Sequence, residues 1–194
     1  MLIAYGCRMP FCVLDGVIRN SIYGDYVAYR NKTYVAFDGD KDMHYYRLLE
    51  AWRDNDKMDF GFLDAHDLNY ARDSSDTESI RAQLRERLKN SKVMLLLVGE
   101  STARLTRFVK WEIEYAHKID LPIIVANLNK KRGYDSSRCP SAILDGDVYT
   151  VHISYERNII KYALDNFPKH YRANKKDGGA KLRYPDSVYT SLGL

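Results

Sequence analysis

The chain has 194 residues, 45% of them apolar and 29% charged, a balance that excludes disordered, collagen-like and coiled-coil chains and suits one α/β domain with some additional chain. Lys and Arg number 30 against 26 Asp and Glu. The surplus lies after Phe167, where Lys169, Arg172, Lys175, Lys176, Lys181 and Arg183 outnumber Asp177 and Asp186, so a neutral body carries a basic tail and charge alone does not make it a nucleic-acid domain.

The longest apolar run, Val93 to Val98, has the length of a strand and falls far short of the roughly 18 residues of a membrane span. Cys7, Cys12 and Cys139 are too few and too scattered for a disulfide framework or a zinc site. No basic and apolar signal pattern opens the chain, and a reducing cytoplasm is the expected location.

Residues 1–31 sustain neither helical nor strand periodicity and read as an extension outside the main core. From Thr33 the pattern becomes regular. Thr33 to Phe37 is β-rich and ends in the turn signal Asp38-Gly39-Asp40. Tyr45, Leu48, Leu49 and Trp52 recur at i, i+3, i+4, i+7 and predict one helical stripe. Met58 to Leu63 is a second strand, followed by a polar loop from Asp64 to Ser75. Ser75 and Glu78 have capping-box spacing before Ile80, Leu84 and Leu88.

Lys92 to Val98 is apolar on both faces, as a central parallel strand must be. After a loop, Thr106 can cap the next helix. Leu121 to Ala126 predicts a fourth strand, residues 127–146 a polar loop, and Val148 to Ile153 a fifth strand. Ile159, Ile160, Ala163, Leu164 and Phe167 form a closing helix stopped by Pro168, and the chain from Lys169 is expected to be loosely attached. Strands alternating with helices demand parallel crossovers. The predicted fold is therefore α/β and flavodoxin-like: a three-layer sandwich around a five-stranded parallel sheet, order 2-1-3-4-5. Ligands in such a sheet bind beyond the carboxyl ends of the strands, near the switch point between strands 1 and 3.

That rule nominates Phe37, Asp38 and Asp40 after strand 1 and Asp64 and His66 after strand 2. After strand 3 it nominates Gly99, Glu100 and Ser101, and after strand 4 Asn127 and Asn129. The helix from Thr106 adds another candidate. Phe108, Trp111, Glu112 and Tyr115 share one face, and Glu112 is the one carboxylate on it. Glu114 points elsewhere, within reach of Lys110 and Lys118. A carboxylate among aromatic rings loses hydration, and such acids concentrate at functional sites. The competing reading is a structural acid paired inside the fold.

Several pieces then stand in a recognisable order. They are Tyr34-Val35-Ala36-Phe37, Leu63-Asp64-Ala65, Asn90-Ser91-Lys92-Val93, Val98-Gly99-Glu100-Ser101-Thr102, and Arg107-Phe108-Val109-Lys110-Trp111-Glu112-Ile113. From Thr33 to Phe167 the chain resembles the TIR-like ThsB family of bacterial Thoeris anti-phage defence. The division is then an N-terminal extension (1–31), a TIR-like domain (32–167) and a basic C-terminal tail (168–194).

The resemblance implies a cytoplasmic bacterial enzyme that consumes NAD as substrate, with no cofactor and no metal. Its product would be a cyclic ADP-ribose-type signal for a separate nucleotide-sensing effector protein, and the enzyme would be latent until infection. Glu112 takes the catalytic role. Phe37 lines the nicotinamide side, Asp38 or Asp40 contacts ribose hydroxyls, and Asp64, Ser101, Thr102 and Trp111 complete the substrate site. A phage-derived trigger and a homo-oligomer are compatible with it. The run Ala36-Phe37-Asp38-Gly39 departs from relatives that carry Ser before the aromatic, which bears on how nicotinamide is held.

A receiver domain needs an Asp after strand 3, where Val98-Gly99-Glu100 stands. A calcium loop starting at Asp38 fails at Met43 and Leu49. No dinucleotide, Walker, zinc-protease or nucleophile-elbow motif occurs. Two alternatives remain: a non-catalytic TIR-type oligomerisation or interaction module, and a nucleic-acid binder using Tyr171, Tyr184 and Tyr189 between the basic residues of the tail.

Overall fold

The structure is a computed structural model and describes residues 32–54, the backbone of 62–63, and residues 77–105, 108–145, 147–175 and 179–194. The extension 1–31, the cap at Ser75, Thr106, and the site candidates Asp64 and His66 lie outside the described residues.

The elements run β1 (Thr33–Ala36), α1 (Met43–Asp54), β2 (Phe62–Leu63), α2 (Thr77–Lys89) and β3 (Val93–Val98). Then come α3 (Phe108–Lys118), β4 (Ile123–Asn127), α4 (Ser141–Leu144), β5 (Thr150–Ser154), α5 (Arg157–Asn174), β6 (Lys181–Arg183) and α6 (Asp186–Ser191). The sheet order is β2-β1-β3-β4-β5-β6, and every pairing is parallel. The predicted order 2-1-3-4-5 is present and is extended by one strand.

The two faces follow from the period of two along each strand. Val35, Leu95, Leu97, Ile124, Val151 and Ile153 project to one side and pack under α1 and α5. Tyr34, Ala36, Met94, Leu96, Ile123 and Val125 project to the other and pack under α2, α3 and α4. All six residues of β3 are buried, as its unbroken apolar run requires. Each such aliphatic side chain contributes about 1.5–3 kcal/mol on burial.

The α1 stripe is rotated from its predicted setting. Tyr46 and Leu49 are the buried residues, because Tyr46 stacks on Phe37 at 4.8 Å. Tyr45 and Trp52 flank them against Tyr155, while Leu48 faces out.

Two expectations at the carboxyl-terminal end are corrected. Pro168 does not stop the last predicted helix: α5 runs through it to Asn174. An interior proline costs about 3 kcal/mol, and ring packing beyond it offsets that cost. Tyr149 stacks on Phe167 and His170 and meets Tyr171 edge-on. The chain after Lys169 is not loosely attached either. Its β6 pairs with β5 in register from Thr150↔Lys181 to His152↔Arg183, and Tyr184 and Tyr189 are 0% exposed. Rings with no exposed face cannot stack on nucleic-acid bases, so the tail reading as a base-stacking surface falls for these two tyrosines.

Candidate functional site

From β1 the chain goes out to β2 and returns past β1 to β3. The carboxyl ends of β1 and β3 therefore bound the crevice where an open sheet takes its ligand. The two loops at this point are knitted together. Ser101 Oγ donates to Asp38 Oδ2 at 2.5 Å, and the backbone N–H of Asp40 donates to Asp38 Oδ1 at 3.1 Å. Asp38 thus accepts on both oxygens, one bond closing an Asx turn in its own loop and the other reaching the β3 loop. Thr102 Oγ1 accepts from the Gly99 N–H at 2.8 Å, fixing the short 3₁₀ turn Thr102–Arg104.

Asp42 completes the cluster and was not among the site residues expected from sequence. It is 6% exposed, and its Oδ2 is buried without a hydrogen-bond partner among the described residues. Its carboxyl lies against Gly99: a Cβ built on that glycine would stand 2.7 Å from Oδ1 and closer still to Oδ2. Burial, and then the neighbouring charge of Asp38, push Asp42 above the usual carboxylate range, against the opposing influence of His44, Lys41 and Arg138. Two buried carboxyls side by side oppose a second charge, and the carboxyl pushed up is Asp42, whose Oδ2 lacks a donor among the described residues. The available signals were the Asp38-x-Asp40-x-Asp42 run and a glycine directly after the central strand.

Glu112 belongs to α3, whose buried side is Val109, Glu112, Ile113 and Ala116. The predicted aromatic stripe is therefore a flank: Phe108, Trp111 and Tyr115 are half-buried, and Trp111 stacks on Tyr115 at 5.3 Å with the Arg81 guanidinium 5.9 Å from its ring centre. Glu112 sits deeper, among aliphatic residues, at 4% exposure. The Tyr34 hydroxyl donates to its Oε1 at 2.8 Å across the space between β1 and α3. Strand alternation explains this partner: Tyr34 and Ala36 face the α2–α3 side, and Val35 and Phe37 the other.

The structure brings together Asp38, Ser101 and Thr102. It does not bring Phe37 to Glu112, because Phe37 is buried on the opposite face against Tyr46. The Asp40 carboxylate is exposed, and its backbone serves the turn. Asn127 and Asn129 organise the loop after β4. Asn127 Nδ2 donates to the Lys131 and Gly133 carbonyls, and Asn129 Nδ2 donates to Asp135. No group of three or more His, Cys, Asp or Glu among the described residues is placed to hold a metal ion.

The family described as Thoeris protein ThsB, TIR-like domain, matches residues 34–133. The chain belongs to this family. The matched span contains Asp38, Asp42, Gly99, Ser101, Tyr34 and Glu112, and ends before α5, β6 and α6. The protein is thus a TIR-family member of Thoeris defence. A solved structure titled "Crystal structure of conserved protein from Enterococcus faecalis V583" aligns with a TM-score of 0.38 at 14% identity, over 76% of this chain and 98% of that one. No described helix of this ThsB-family chain is long and apolar enough to cross a membrane.

Proposed function

We propose that this ThsB-family protein cleaves the bond between nicotinamide and ribose in NAD and makes a cyclic ADP-ribose-type signal. The signal would act on a separate effector during phage infection, in the bacterial cytoplasm. The observation that supports this reading is Glu112, a carboxylate set into an aliphatic helix face and held by a tyrosine hydroxyl. A charge so placed costs several kcal/mol unless it is compensated, and a helix face with a purely structural task is more stable with an apolar residue there.

In the proposed reaction the C1′–N bond breaks and its electron pair leaves with the nicotinamide nitrogen, which becomes neutral. No strong general acid is needed. The ribose carbon takes on oxocarbenium character, as in glycoside hydrolysis, and Glu112 stabilises the developing positive charge. A hydroxyl of the same molecule then attacks C1′ and gives up its proton, which forms a cyclic product. Attack by water gives linear ADP-ribose. The Asp38–Ser101 pair at the switch point supplies acceptors suited to ribose hydroxyls.

The 4% exposure of Glu112 favours a second reading, a non-catalytic interaction module. Under the catalytic reading it corresponds to the latent state, and activation must uncover the carboxylate. Nucleotide mass spectrometry of infected cells separates the two, comparing wild type with Glu112→Gln. Catalysis predicts nicotinamide release and a new ADP-ribose species that vanish in the variant. Release at the wild-type rate by Glu112→Gln removes the assignment. Defence without any new nucleotide in either strain supports the module.

A further inference from the structure

We propose that the amino edge of the sheet, opposite the switch point, carries a binding site for a small phosphate-bearing anion. An open cleft of about 330 Å³ lies there between the ends of α2, α3 and α5. That volume is at the lower end of small-ligand sites and suits a phosphate ester or mononucleotide better than a dinucleotide. Leu88, Leu121 and Pro122 give it an apolar wall, and Lys89, Lys92 and Arg172 line it with positive charge.

The three cations come from separate parts of the chain: the last residue of α2, the turn before β3, and the last turn of α5. None has an ion-pair partner among the described residues, whereas Lys110, Arg132, Lys161 and Lys175 each pair with a carboxylate. Two of the three have a local reason to be where they are. Lys89 and Arg172 stand at helix carboxyl ends, where a cation is favoured by the helix dipole. Lys92 stands in no helix and has no such reason. Like charges around a concavity repel one another and focus a positive field into it.

The one acid among the described residues of the lining is already engaged. Asp120 accepts from the Tyr171 hydroxyl at 2.9 Å and from Lys175 Nζ, and these partners, Lys175 foremost, hold it below the usual carboxylate range. It sits at φ 61° in a Schellman turn closed by Asp120 N–H to His117 O and Leu121 N–H to Ala116 O. Glycine is the default residue there. The aspartate strains the backbone there and in return clamps the end of α5, the helix that carries Arg172. The clamp thus neutralises the only negative group that lines the cleft among the described residues, and fixes one of its cations. Two ammonium groups and a planar guanidinium around a half-apolar hollow match a multiply charged phosphate with an organic body. An extended nucleic acid would need stacking rings, and Tyr184 and Tyr189 are buried.

The test is titration of the full chain with AMP, inorganic pyrophosphate and adenosine, followed by calorimetry and phosphorus NMR. AMP and pyrophosphate are expected to bind saturably, with adenosine weaker by about tenfold or more. Lys92→Ala and Arg172→Ala should each weaken AMP by roughly tenfold, leaving the unfolding midpoint within a few degrees of wild type. Glu112→Gln should bind AMP as wild type does, which separates this site from the proposed NAD chemistry. The absence of saturable binding at millimolar probe overturns the proposal. So does equal affinity of AMP and adenosine, or undiminished affinity in the Lys92→Ala, Arg172→Ala double variant.

Discussion

At the carboxyl edge of the sheet two acids are buried side by side, Asp38 with its oxygens satisfied by Ser101 and the Asp40 backbone, Asp42 pressed against Gly99. At the amino edge Lys89, Lys92 and Arg172 surround an open cleft and reach into solvent. The two edges have opposite charge and opposite mechanics. Buried acids are coupled to the packing of two loops, so disturbing them changes stability. Solvated cations are held by little else, so disturbing them changes what the surface attracts and leaves the fold alone.

The sharpest way to break this contrast is Gly99→Ala. The added methyl displaces the Asp42 carboxyl and should destabilise the fold by about 1–3 kcal/mol, read from urea or thermal unfolding. Asp42→Ala in the same chain should recover much of that loss, because it vacates the space. An additive pair would show that Gly99 and Asp42 are not in conflict. Tyr34→Phe is expected to cost about 1–3 kcal/mol by removing a buried donor from the Glu112 carboxylate. Tyr34→Phe combined with Glu112→Gln should cost less than the sum.

A pH scan sharpens the acid side. The folded chain holds the Asp42 proton above the ordinary value of 3.8, where the unfolded chain has released it. The contribution of Asp42 is therefore fully present below 3.8 and is lost as pH rises through the raised folded value. Asp42→Asn should remove that slope. His152 works in the opposite sense. Burial lowers it to about 3 from 6.5, so the unfolded chain binds the extra proton and stability falls as pH drops below 6.5. His152→Gln should flatten the acid limb, and the two slopes are separable by variant.

The smallest effect is expected at the amino edge. Asp120→Gly and Asp120→Ala both lose the clamp to Tyr171 and Lys175, but only glycine relieves the φ of 61°. Asp120→Gly should therefore be the more stable of the two by about 1 kcal/mol. Equal stabilities would mean that the turn carries no strain.

Periodicity alone determined most of the alternation of strands and helices from Thr33 to Phe167, but not the short helix α4, which falls inside the expected polar loop 127–146. The unbroken apolar run of β3 placed it at the centre, and the crossover rule then gave the order β2-β1-β3-β4-β5. Those signals are local: a strand buried on both faces and a helix with one apolar side each write their environment into consecutive residues. The acids after β1 and the serine after β3 were legible for the same reason, since strand ends are legible.

What only the tertiary structure decided depends on contacts between residues far apart. Alternation within β1 sends Tyr34 to Glu112 and Phe37 to Tyr46 on opposite faces, a separation that a strand of four residues does not announce. The space that Gly99 leaves is meaningful only because Asp42 fills it. The carboxyl-terminal segment looked solvated because its tyrosines, with Leu182 and Val188, are spaced among charged and polar residues. Their rings became core when β6 found the open edge of β5, and long-range pairing of that kind outweighs both local polarity and a proline within a helix.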